Sequence, residues 1–128
     1  MAFRWFSNLY RWFVIHTKIK HDDFTSARGE ILGSYLELKN IHSLHFRLTP
    51  EKLTASIELI EKRIEKALSF LKKARKAPAV QSGLRQLAQE IKRQRKLPRE
   101  KLLPLLKIWE ERLREYDTQL SLLAEQKS

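Results

Sequence analysis

The sequence predicts an all-α protein, a helical bundle of about five helices. Apolar residues recur at steps of three and four between successive breakers, and no segment alternates in the period-two manner of a strand. With 128 residues and a 42% apolar composition, the chain is long enough for one core and too short for a two-domain enzyme. Residues 1–128 therefore read as a single helical domain, with 1–20 a separable aromatic and basic amphipathic helix.

The first element is the most aromatic. Six of the twelve aromatic residues are Phe3, Trp5, Phe6, Tyr10, Trp12 and Phe13. At 100° per residue, Arg4, Ser7, Asn8 and Arg11 share one narrow polar face, while those aromatics with Leu9 and Val14 fill the rest. Such a helix suits three uses: a core helix, a membrane-surface helix with Arg4, Arg11 and Lys18 meeting anionic lipid, or a partner surface. Its freedom from acidic residues before Asp22 also resembles a mitochondrial presequence, though it is poor in serine.

A second helix starts at Asp22 or Asp23, which suit an N-cap, and ends near Arg47–Leu48. Its stripe is Phe24, Ala27, Ile31, Tyr35, Leu38 and His42, and Gly29 with Gly33 predicts a close helix contact. Thr49-Pro50 marks the next boundary, a capping threonine before a first-turn proline. The helix over 50–76 carries a heptad seam of Leu53, Ile57, Ile60, Ile64, Ala67, Leu71 and Ala74. Ala77-Pro78-Ala79 stops it, and a shorter helix opening at Ser82-Gly83 runs to about Leu97. Pro98 and Pro104 place the start of the last helix near 104. Its seam is Leu102, Leu106, Trp109, Leu113, Tyr116, Leu120 and Leu123. The matched seams predict that the two long helices form an antiparallel pair.

Composition excludes several functions. Without cysteine there is no disulfide, thiol nucleophile or cysteine-held metal. The longest stretch free of charged residues, Ala77–Leu84, is eight residues, far below the ~20 that span a bilayer. Three glycines make no phosphate loop, and no serine stands in a nucleophile elbow. His42 and His45 stand three apart with Glu37 nearby, but no zinc-binding pattern accompanies them, and His21-Asp22 lacks the further ligands that phosphohydrolase chemistry needs. The expectation is a non-enzymatic protein with no cofactor and no metal.

Charge is the positive signal. The formal net charge is +11, distributed as +3 over residues 1–49, +4 over 50–76, +5 over 77–101 and −1 over 102–128. Two clusters stand out: Lys72, Lys73, Arg75 and Lys76, then Lys92, Arg93, Arg95, Lys96, Arg99 and Lys101. Cations gathered on one surface bind phosphate backbones without reading sequence. The favoured partner is a nucleic acid, RNA or DNA, within a nucleoprotein assembly. The rival expectations are a peripheral membrane protein anchored by the N-terminal helix on an anionic membrane surface, and a coiled-coil adaptor. In the adaptor, the heptad seams pair with a protein partner or a second copy. An intracellular, cytoplasmic setting is favoured, with membrane-peripheral and mitochondrial settings as alternatives.

Overall fold

The computed structural model describes residues 23–125, so the expected aromatic helix at 3–15 lies outside the described residues. Within them are four α-helices: α1 (Asp23–Leu44), α2 (Pro50–Ala74), α3 (Pro78–Gln94) and α4 (Arg99–Glu125). A short 3-10 turn, His45–Arg47, joins α1 to the α2 cap. No strand occurs among the described residues.

Most of both heptad seams is buried, while Ala74 and Tyr116 are half-buried and Leu123, at the end of the α4 seam, is exposed. Leu53, Ile57, Ile60, Ile64, Ala67 and Leu71 face inward from α2, and Leu102, Leu106, Trp109, Leu113 and Leu120 from α4. The α1 seam shifts by one position at two points: Ser34 and Ile41 are buried, while Tyr35 and His42 sit half-buried beside them. Ser34 enters the core without an unmet hydroxyl because its Oγ donates to the Glu30 carbonyl at 2.8 Å. Trp109 is the largest fully buried side chain, and its indole N–H has no acceptor among the described residues.

The pairing of the long helices differs from expectation. α1 packs on both α2 and α4, α2 packs also on α3, and α3 touches α4 lightly. At one end Lys76 meets Phe24, and Arg28 donates to Ser121 Oγ at 2.9 Å. At the other, the Arg99 guanidinium donates to the Leu48 carbonyl. α1 is thus antiparallel to both α2 and α4. The two heptad helices consequently run parallel, diagonally across the bundle, and not as an antiparallel pair. Two chain reversals separate them, and two reversals restore direction. A seam records that a helix faces a core, not which helix faces it.

Local chemistry explains the boundaries. Thr49 Oγ1 accepts from Lys52 N at 3.2 Å, with Pro50 in the first turn of α2. At the other end Arg75 takes the left-handed position (φ 55°, ψ 43°), with Arg75 N donating to Lys72 O and Lys76 N to Leu71 O. That is the Schellman arrangement, occupied here by arginine in place of the usual glycine. Gln81 Nε2 then caps the same end, donating to Lys76 O at 2.8 Å and Leu71 O at 3.3 Å. α3 starts at Pro78, four residues before the expected opening, because a proline that ends one helix is equally fitted to begin the next. α4 starts at Arg99 with Pro104 inside it. Pro104 and Glu100, whose carbonyl the proline leaves without a helical donor, are both exposed residues, and burial of Leu102 favours the longer helix.

The glycines divide. The Cβ position of Gly33 falls on the Arg63 guanidinium, so a side chain of α2 lies over it, whereas Gly29 has open space and no close contact. At Gly83 an added Cβ would stand 2.6 Å from Cζ of Tyr116, so the absence of a side chain there lets the α4 tyrosine lie against α3.

Candidate functional site

The two predicted basic clusters do not form one surface. Lys72 and Lys73 are exposed near the end of α2, Arg75 is exposed in the following turn, and Lys76 is half-buried. Lys73 Nζ lies 6.0 Å from the Phe70 ring centroid and Lys76 Nζ 5.2 Å from that of Phe24. Lys92 and Arg93 are exposed at the end of α3, and Lys96 and Lys101 near the start of α4. The intervening α3, 17 residues, holds the clusters about 25 Å apart at opposite ends of the bundle.

Two members of the second cluster belong to the fold. Arg95 lies past the last residue of α3 and turns toward α2. There its Nη1 donates to Glu61 Oε2 at 2.6 Å, and its Nε stands 3.7 Å from Glu58 Oε1, an ion pair too long for a hydrogen bond. Arg99 is held by the Leu48 carbonyl. Helical spacing would put 92, 95, 96 and 99 on one face only if the helix ran on through Pro98; α3 ends at Gln94, and Arg95 and Arg99 turn to Glu61 and Leu48.

A different basic face is assembled. Val80, Leu84, Leu87, Ala88 and Ile91 bury one side of α3. The other side presents Arg85, Gln86, Gln89, Lys92 and Arg93, extended by Lys96, all exposed. The five helical positions fall within about a third of the circumference and span about 12 Å, and Lys96 follows in the turn after α3. The one carboxylate of α3, Glu90, is bound to Arg112 of α4 at 2.5 Å. Partial burial works against the Arg112 charge. Its hydrogen bond and attraction to Tyr116, with those to Glu90, outweigh that and raise its pKa above the usual arginine value. Arg85 and Gln86 were outside the sequence-predicted set. Arg85 stands seven residues from Lys92, so a search for charge runs passes over it, while helical spacing (85, 89, 92, 93) finds it.

The charge is segregated by helix. Residues 50–98, which hold α2 and α3, carry thirteen basic and five acidic side chains, a net +8. α1 and α4 together carry seven basic and nine acidic, a net −2. On α2 the cations are interleaved with carboxylates: the α2–α3 groove, about 310 Å³, is lined by Glu58, Glu61, Glu65, Lys62, Lys92 and Arg95. Among the described helices, only α3 has an outer side that is cationic without an available carboxylate on its own helix.

The N-terminal surface residues Phe3, Arg4, Trp5, Phe6, Leu9, Tyr10, Arg11, Trp12 and Phe13 lie outside the described residues. The heptad seams proposed as partner surfaces are largely occupied within this chain's own core, with Leu123 exposed at the end of the α4 seam. Among the described residues no three His, Asp or Glu gather as metal ligands, and no helix is long and apolar enough to cross a membrane. No family model, curated protein or solved structure matches the chain.

Proposed function

We propose that the outer face of α3 holds the phosphate backbone of a nucleic acid, RNA or DNA, and that the protein binds without catalysing. The observation that carries this is a helix side made of Arg85, Gln86, Gln89, Lys92 and Arg93 with Lys96, whose helix has its single carboxylate engaged elsewhere. Arg85 and Arg93 offer forked donors to phosphate oxygens, the lysines offer point charge, and the glutamine amides donate between them. With these groups on phosphates, affinity comes from counterion release and is sequence-independent, with a dissociation constant of about 10⁻⁴–10⁻⁶ M at physiological salt. Lys62, Lys66, Lys72 and Lys73 on the neighbouring α2 add long-range attraction, reduced by the glutamates among them.

The test is titration with a nucleic acid at two or more salt concentrations. Neutralising four phosphates through Arg85, Lys92, Arg93 and Lys96 gives a log–log salt slope of about −3.6 on duplex and −2.8 on single strands. Joint replacement Lys92→Gln, Arg93→Gln, Lys96→Gln should make the duplex slope shallower by about 2.7. Arg95 is left in place so that the fold is not tested instead. Binding without a salt slope, an unchanged slope in the triple variant, or binding to anionic vesicles with none to nucleic acid overturns the proposal.

A further inference from the structure

An apolar groove opens at the end of the bundle where α3 begins and α4 finishes. Pro78, Ala79 and Val80 form one wall and Leu122 and Leu123 the other, around a volume of about 370 Å³. Leu122 is 55% exposed and Leu123 37%. Fully burying a leucine side chain stabilises by about 1.5–3 kcal/mol, so the groove offers a gain the four described helices leave unused.

The first turns of α1 adjoin both walls. Lys76, two residues before Pro78, lies over the Phe24 ring. Ser121, one residue before Leu122, accepts the hydrogen bond of Arg28. The chain that precedes Asp23 thus enters α1 at the same end of the bundle as the groove. We infer that the groove receives the chain's own residues 3–15, docked through the aromatic arc of Phe3, Trp5, Phe6, Leu9, Trp12 and Phe13.

Reach, chemistry and concentration agree on this occupant. Seven residues, 16–22, connect the segment to α1. Extended they cover about 25 Å, and as a flexible chain about 15 Å, enough to reach either wall. The walls are apolar except for Gln119, and the segment is apolar except for the face of Arg4, Ser7, Asn8 and Arg11. A short tether holds its segment at millimolar effective concentration, so a second copy of the chain competes for the same groove at a disadvantage.

The absence of cysteine permits a clean test. Ser82→Cys, on an exposed position one turn beyond Pro78, takes a nitroxide at a single place on isotope-labelled full-length protein. Docking makes the indole N–H signals of Trp5 and Trp12 lose intensity. A nitroxide on Lys101→Cys, at the opposite end, leaves both intact. Adding Leu122→Asp to the Ser82-labelled protein restores both signals. Leu122 is exposed, so the urea midpoint of the core should hold. Full-intensity Trp5 and Trp12 signals in the Ser82-labelled protein overturn the inference. So does an equal loss when the isotope and the nitroxide are on separate, mixed copies, which makes the occupant a second copy.

Discussion

Removing the guanidinium of Arg95 should destabilise the bundle more than removing the carboxylate it serves. The Glu61 side chain is 7% exposed and accepts from Arg95 at 2.6 Å, while the Arg95 side chain is 23% exposed and lies 3.7 Å from a second carboxylate, Glu58. Arg95→Leu leaves a nearly dry carboxylate without its cation. Stranding one partner of a buried pair costs about 3–5 kcal/mol, and water at the arginine edge places this case near 3. For a domain of this size that is a fall in the unfolding midpoint of about 12–24 °C. Glu61→Leu leaves a partly solvated guanidinium with Glu58 still nearby, a loss of about 1–2 kcal/mol. With both replaced, two leucines pack between α2 and α3 with no charge to solvate, and the loss shrinks to about 1 kcal/mol or less. The resulting coupling is about 3 kcal/mol, read by urea unfolding of the wild type, the two single variants and the double variant. Additive losses, or an Arg95→Leu variant within about 0.5 kcal/mol of wild type, would refute the assignment of Arg95 to the fold.

Two further substitutions have opposite expected signs. Gly83→Ala should destabilise by about 1 kcal/mol, because displacing the Tyr116 ring costs more than the helix propensity gained; in a Tyr116→Ala background it should stabilise by about 1 kcal/mol, and thermal unfolding of both pairs reads the reversal. Arg75→Gly should stabilise by about 1 kcal/mol by relieving the left-handed backbone at φ 55°, while leaving the salt slope of nucleic-acid binding unchanged if the α3 face is the contact surface; calorimetry and the titration above measure the two effects on one variant.

What the sequence made legible is what depends on neighbours along the chain. Thr49 and Pro50 announce the start of α2 because cap chemistry acts over three residues. The seams of α2 and α4 are visible because helical period alone places Ile57, Ile60 and Ile64, or Leu106, Trp109 and Leu113, on one face. Pro78 and Pro98 were ambiguous for a physical reason: the ring bars the chain from continuing one helix and pre-sets it to begin another. The partner of Arg95 was not legible at all. Glu61 lies 34 residues away, and nothing local separates a glutamate facing an arginine across a groove from one facing water. The same limit hid the diagonal placement of the long helices, since pairing is fixed by which apolar faces meet in space.

Arginine and lysine divide the labour in this molecule, and the division refines the charge argument. The half-buried arginines, Arg28, Arg95, Arg99 and Arg112, reach Ser121, Glu61, Leu48 and Glu90, each tying two elements together. A planar fork with several donors can be held at a helix junction through one of them, even where Arg28 Nε and Arg95 Nε are buried without a hydrogen bond, whereas an ammonium is more strongly hydrated and costs more to dry. Among the described lysines, Lys76 alone is half-buried and the rest are exposed. A count of Lys plus Arg therefore overstates the charge available to a polyanion, since part of it is already committed to the fold. What remains must be weighed by helix side. On α2 the exposed lysines alternate with glutamates, and their fields partly cancel. On α3 the carboxylate is drawn through Glu90 to Arg112, away from Arg85 and Arg93, which stay exposed with their guanidinium groups open to solvent. Glu90 does two things at once in that position: it fastens α3 to α4, and it leaves Arg85 and Arg93 with no carboxylate of their own helix beside them.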